Sequence, residues 1–142
     1  MFKMTAEMEY GFLALLALSR RQHSAQATKA YEIAGENNLS EPFLLQVLME
    51  LKRAGLVESR RGKNGGFLLS RSPDQITVRD LLDATAGKNA RQPGQFKVVS
   101  QNGFLPRWWN SVLEEVERLS SSVSIADALA EEQANQEPMY YI

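Results

Sequence analysis

Not one of the 142 residues is a cysteine, so disulfides, thiolate nucleophiles and cysteine-held zinc or iron–sulfur centres are excluded whatever the fold. Histidine occurs once, at His23, and a single imidazole cannot build the usual histidine-rich metal site, so a solvated turn residue is its expected role. Long apolar runs are missing too: the stretch 12–18 is far too short to cross a bilayer. The lysine near the N-terminus is followed by no contiguous apolar region with a small-residue cleavage site. These absences predict a cytoplasmic protein with no signal peptide, no membrane partner, no metal and no cofactor. They also argue against an enzyme, because no acid lies near His23 in sequence and the paired glutamates fall on solvated helix faces.

What is present has the balance of a soluble globular chain, 44% hydrophobic and 23% charged, long enough for one domain or a small domain with an extension. The net charge of -1 hides an asymmetry: residues 1–72 hold ten Lys/Arg against seven Asp/Glu, and residues 73–142 hold six against ten. A basic front and an acidic back suit a protein that faces phosphate with one surface.

Apolar residues recur at three- and four-residue spacing over 4–19, where Phe12, Leu13, Leu15, Leu16 and Leu18 cover most of the circumference and predict a central buried helix. After a polar break, Thr28 is expected to cap a short helix with Ala30, Tyr31, Ile33 and Ala34 on one side, and residues 35–38 to turn. Ser40, Glu41 and Pro42 then give a start signal: a hydroxyl cap, a first-turn acid, and a proline where a backbone donor has no helical partner. That helix is expected to run to Ala54 and stop at Gly55. Leu44, Val47, Leu48 and Leu51 would face a core, leaving Phe43, Gln46, Met49, Glu50 and Arg53 for other surroundings.

Residues 56–59 and 67–70 read as two short strands joined by a glycine-rich loop. Thr77 with Asp80 resembles a capping box for a short helix ending at Gly87, and 88–103 has no period and reads as a linker or loop. Leu105, Trp108, Trp109, Val112, Leu113, Val116 and Leu119 then share one helix face, opposite Glu114, Glu115, Glu117 and Arg118. A last helix is expected from Ser124 to about Gln133, with Ser124 and Asp127 in cap positions.

The stretch SRRGKNGGFLLS (59–70) sets a basic, backbone-flexible loop against an apolar strand. Such loops are common on any surface, but this one follows a capped helix ending in Arg53-Ala54-Gly55-Leu56-Val57. Helix, helix, turn, helix and basic hairpin is the plan of a winged helix-turn-helix, with the hairpin as its wing. Arg60, Arg61, Lys63 and Asn64 would then meet phosphates or a narrow minor groove.

The residues Tyr10, Ile33-Ala34, Leu39-Ser40-Glu41, LKRAGLVESRRGKNGGFLLSR (51–71) and ITVRDLLDATAG (76–87) resemble the Rrf-type family of bacterial transcription regulators. That family includes iron–sulfur, nitric-oxide and cysteine regulators. The likeness is close over about 4–87 and resumes weakly through Trp108 to Ala130, where the family has its long dimer helix. Cluster-binding members carry three cysteines after the helix matching 76–87, and residues 88–103 here carry neither cysteine nor histidine, so iron–sulfur sensing is not expected. Members often have a tyrosine at the position of Phe43 and polar groups at those of Pro42 and Leu45, which shifts expected base contacts to Ser40, Glu41, Gln46 and the wing residue Arg61.

Within the family the chain is most like the cysteine-free CymR-like members, which end as this chain does, in Met139, Tyr140, Tyr141 and Ile142. That resemblance implies control of cysteine metabolism through a complex in which the tail enters cysteine synthase; on residues alone a frayed end or a tail packed on its own dimer is favoured, and with the resemblance the two readings stand level. The full expectation is a mainly α fold with a small β-hairpin. A winged helix-turn-helix DNA-binding domain spans 1–87, a linker loop 88–104, dimerisation helices 105–134 and a tail 135–142. As a homodimeric repressor or activator it would read a palindromic operator in double-stranded DNA through Lys29, Ser40, Glu41, Phe43 and Gln46 together with the wing. The apolar face of the long helix would join the two copies, although such faces more often pack inside their own subunit. The rival reading is a winged-helix interaction module that docks on an enzyme and does not bind DNA, favoured slightly by near-neutral charge and by Phe43 and Leu45.

Overall fold

Helix α1 (Ala6–Arg20) starts where the hydroxyl of Thr5 accepts the backbone N–H of Met8 at 3.2 Å. It is the axis of the computed structural model, which describes residues 4–86 and 103–136. Ala14, Leu15, Ala17 and Leu18 are buried along it, and the buried hydroxyl of Ser19 donates to the Leu15 carbonyl at 2.6 Å, so no polar group is stranded. Around this axis lie α2 (Ala30–Asn37), α3 (Glu41–Arg53), β1 (Val57–Arg60), β2 (Gly66–Leu69), a 3-10 turn (Pro73–Gln75), α4 (Val78–Thr85), α5 (Phe104–Ser122) and α6 (Ile125–Gln136). The expected linker falls mostly outside the described residues, as do Gly87 and the tail residues Met139, Tyr140, Tyr141 and Ile142.

The core joins α1 to Ile33 and Ala34 of α2, to Leu44, Val47, Leu48 and Leu51 of α3, and to Leu56, Val57, Phe67, Ile76, Leu81 and Ile125. Each of the four α3 side chains, fully withdrawn from water, contributes about 1.5–3 kcal/mol, enough to fix which face of α3 looks outward. The capping boxes form where the sequence places them: Thr77 with Asp80 at α4 and Ser124 with Asp127 at α6, each a reciprocal pair between 2.9 and 3.1 Å.

Three local expectations are corrected. Helix α2 starts one residue late, with Lys29 at its N-cap and the Glu32 carboxylate accepting the Lys29 backbone N–H at 3.2 Å. Thr28 is instead a bridge residue, its N–H and carbonyl both bonded to Phe67, at 2.9 and 2.8 Å. Residues 35–37 do not turn but extend α2, and the chain leaves through Asn38 in the left-handed region at φ 57°, which asparagine tolerates better than most side chains. Helix α4 ends at Thr85, with Ala86 rather than Gly87 after it.

Helix α6 folds back on α1. Ile125 and Leu129 enter the core, the Ile125 N–H donates to the Ile76 carbonyl at 2.8 Å, and the Val78 N–H donates to the Val123 carbonyl at 2.8 Å. Arg20 adds a contact at 2.7 Å to each carboxylate oxygen of Glu132. That ion pair is one-third exposed and secondary in energy to the buried aliphatics. Helix α5 leans on α4, with Arg79 reaching Glu117 at 3.4 Å, and none of its described side chains is fully buried.

In the hairpin, Val57 pairs with Leu69, Glu58 with Leu68, Ser59 with Phe67 and Arg60 with Gly66. Gly66 is where the wing meets the segment before α2: at φ 146°, a β-carbon there would lie 2.5 Å from the Thr28 carbonyl oxygen. Gly66→Ala should therefore destabilise the fold by about 2 kcal/mol or more. Gly35→Ala, in the exposed middle of α2 with nothing within 4 Å of the new carbon, should stabilise it by about 0.5–1 kcal/mol. Urea unfolding of both variants checks the pair; a neutral Gly66→Ala would mean that the bridge is not tight.

Candidate nucleic-acid interface

Helix α3 buries one side and offers the other. With Leu44, Val47, Leu48 and Leu51 in the core, Ser40, Glu41, Leu45, Gln46, Met49, Lys52 and Arg53 stand exposed. Of the residues expected to read bases, Ser40, Glu41 and Gln46 are thus all on the open side. Ser40 occupies the N-cap, but its hydroxyl makes no cap bond, contrary to the expected hydroxyl cap. Its backbone N–H donates instead to the Tyr10 phenol oxygen at 3.0 Å, a partner thirty residues earlier in the chain, and its own hydroxyl stays outward.

Phe43 is placed differently from the other expected contacts. Its ring is half-buried and meets Tyr10 edge to face, with centroids 4.7 Å apart and planes at 77°. Tyr10 therefore holds the first turn of α3 twice, by its hydroxyl and by its ring, and Phe43 supports the helix from beneath.

The wing loop lies at the end of β1. Arg61, Lys63 and Asn64 are exposed, and the structure gives them no side-chain hydrogen bond or ion pair among the described residues. Gly65 lets the loop close tightly: its N–H donates to the Gly62 carbonyl at 2.9 Å, and a β-carbon there would lie 2.3 Å from the Arg60 carbonyl oxygen. Arg60 is not a free charge, since its guanidinium donates to the Ala25 carbonyl at 3.1 Å and ties the wing to the loop after α1. Lys29, half-exposed at the start of α2, adjoins the Thr28 bridge.

One connection escaped the sequence reading. Lys52, near the end of α3, donates from Nζ to the Ser59 hydroxyl of β1 at 2.6 Å, joining α3 to the wing. Both residues lie within the LKRAGLVES stretch, but nothing local signals a pairing that depends on the chain reversing at Gly55. Lys52 thus ties the end of α3 to the wing strand, beyond which Arg61 and Lys63 are exposed charges, while Gln46 lies on the other edge of the exposed side, beside Thr5, Glu7 and Glu50. The wing charges can meet a polyanion electrostatically, and Gln46 can meet hydrogen-bonding edges.

Comparison with known proteins gives this surface a context. The model of the Rrf2 family, described as an iron-dependent transcriptional regulator, matches residues 4–131. The HTH-type transcriptional regulator CymR of Bacillus subtilis (strain 168) is 30% identical over 142 residues, covering 99% of each chain. The solved structure of CymR, the global cysteine regulator of B. subtilis, superposes with a TM-score of 0.79 at 28% identity, covering 92% of this chain and 98% of that one. T. potens IscR superposes at 0.77 with 27% identity, covering 99% and 95%. These likenesses and the element order make the fold a winged helix-turn-helix with a long C-terminal helix.

Iron is named in the family description, and the donor set of this chain does not fit it. There is no cysteine, the one histidine is exposed, and residues 88–102 contain no Cys, His, Asp or Glu. Among the described residues no three such side chains converge.

The double hold of Tyr10 can be separated by substitution. Tyr10→Phe keeps the ring against Phe43 and removes the acceptor of the Ser40 N–H, so it should lower stability by about 0.5–1.5 kcal/mol, whereas Tyr10→Ala should cost about 3–5 kcal/mol. Chemical denaturation of the two variants reads the difference; equal losses would mean that the ring contact contributes nothing.

Proposed function

The chain belongs to the Rrf2 family of transcriptional regulators, and from that premise we propose that it is a homodimeric, sequence-specific DNA-binding regulator working without an iron–sulfur cluster. The observation that carries the reading is the coupling of the exposed side of α3 to the wing through Lys52 and Ser59, beside the unpaired Arg61 and Lys63. Helix α3 enters a major groove, where Gln46 pairs with a base edge, adenine being its best bidentate partner. Ser40 and Glu41 lie at the same end of the helix, and Ser40, Lys29 and Lys63 face phosphates. Arg61, on the wing, enters the adjacent minor groove. Arg60 and Phe43 act from behind, holding the wing and the helix.

Dimerisation uses α5. Trp109, Val112 and Leu113 are half-buried, but Leu105, Trp108, Val116 and Leu119 on the same face remain exposed, Trp108 by 52% and Leu119 by 62%. The apolar arc is wider than α4 covers, and a second α5 packed antiparallel would take up the remainder. Two α3 helices then reach successive major grooves about 10 base pairs apart, and the operator is palindromic.

The 30% identity to CymR over nearly the whole of both chains, and the likeness to the solved structure of that global cysteine regulator, support a regulon concerned with cysteine or sulfur supply; in this reading Met139, Tyr140, Tyr141 and Ile142 dock on cysteine synthase.

Fluorescence anisotropy with operator-bearing and random duplexes tests the interface. Arg61→Ala should weaken binding to both and reduce the salt slope by about one unit. Gln46→Ala should cost about 1–3 kcal/mol on the operator alone. Absence of DNA binding by the unaltered protein would leave the enzyme-docking module as the reading. For the dimer, Leu119→Lys places like charges at the pairing face and should yield monomers in sedimentation velocity; a persisting dimer would move the interface elsewhere.

A further inference from the structure

A cavity of about 270 Å³ opens beside the wing, between the end of α1, the loop leading to α2 and the exit of β2. The polar part of its wall is Arg21, Gln22, Ser24, Gln26, Thr28, Ser70, Arg71 and Ser72, and no aspartate or glutamate lines it. Its size is just below the roughly 300 Å³ at which small-molecule sites begin, so it suits a compact ligand.

The two arginines differ in how far their charge is already answered. The Arg21 guanidinium is paired with the Glu36 carboxylate and donates to the Ala17 carbonyl at 3.0 Å. Arg71 has only long contacts, 3.4 Å to the Gln75 carbonyl and 3.9 Å to the Asp80 carboxylate. That Asp80 oxygen is already committed, accepting the Thr77 N–H at 2.9 Å in the cap of α4. Nearby hydroxyls are available as donors. Ser24 accepts the Gln26 N–H at 3.2 Å and keeps its own proton free, while Ser70 has no side-chain partner among the described residues. A planar guanidinium with spare N–H groups and two hydroxyls lining one cavity make a donor set for an oxyanion. The cavity also touches Thr28 and Phe67, the residues whose mutual backbone bonds fasten β2 to the segment before α2.

We propose that this cavity is an effector site for a compact oxyanion, a small molecule bearing a carboxylate or phosphate, held by Arg71 with Ser24 and Ser70. Because the occupant touches both sides of the Thr28–Phe67 bridge, binding alters the seating of the wing and hence affinity for the operator. The regulatory half of this inference rests on the DNA-binding reading; the binding half does not.

The test titrates inorganic phosphate and, separately, citrate into the intact protein at constant ionic strength, by calorimetry and thermal unfolding. At least one of them should bind saturably, one per chain. Arg71→Ala should weaken it at least about tenfold, the loss of one charge-assisted contact pair, and Arg61→Ala should leave it unchanged. Ser70→Asp, which puts an acid into the wall, should abolish binding and carries the test if Arg71→Ala does not fold. Absence of saturable binding overturns the site, as does binding that survives both cavity variants or that is lost instead with Arg61. Saturable binding that leaves operator affinity unchanged overturns the effector role. Saturable binding by a protein with no affinity for any DNA upholds the cavity and sinks the regulator reading.

Discussion

Two backbone hydrogen bonds between Thr28 and Phe67 organise the half of this molecule that carries the wing and the start of α2. They turn a two-stranded hairpin, marginal on its own in water, into part of the domain, and they do so just where Gly66 lacks a side chain. Once β2 is fixed there, Phe67 enters the core, the basic loop is held at the end of a fixed ribbon, and Arg60 reaches the Ala25 carbonyl from the other strand. The wing's charges therefore sit on a braced support, although the loop itself is made of glycines and long polar side chains.

Helix α3 is braced as firmly. Its buried side is aliphatic, its first turn is held by Tyr10, and its last turn meets β1 through Lys52. The core, Tyr10 of α1 and Ser59 of β1 thus set the position of one exposed stripe. A reading surface needs this arrangement, since discrimination among base edges depends on side chains arriving within hydrogen-bonding distance at a fixed angle.

Much of this was legible in the sequence because it is encoded locally. Ser40-Glu41-Pro42 marks the start of α3, Thr77 with Asp80 and Ser124 with Asp127 mark two helix caps, and the spacing of Leu44, Val47, Leu48 and Leu51 gives the buried side. The basic hairpin announces itself in the same way. What escaped is non-local. Thr28 looks like a cap, yet its backbone has a strand partner, and the Ser40 hydroxyl looks committed until Tyr10 takes over the backbone beside it. The return of α6 to α1 was illegible because Ile125 and Leu129 carry no sign of which helix they will meet. The Tyr10 contact of Phe43 was illegible for a related reason: the edge of an amphipathic stripe belongs to either side until the neighbouring helix is known.

The attachment of α6 bears on how two subunits would be spaced in the proposed dimer. Helix α5 spans nineteen residues, and the chain leaving it is at once stapled to the body by α6. It is therefore a lever about 28 Å long, rooted at one end in the same core that seats α3. Tilting such a lever by about 5° swings its far end through about 2.5 Å, a large fraction of a base-pair step. In the proposed dimer, the angle at which paired levers cross would work as a caliper setting, fixing which separation between half-sites the jaws can span.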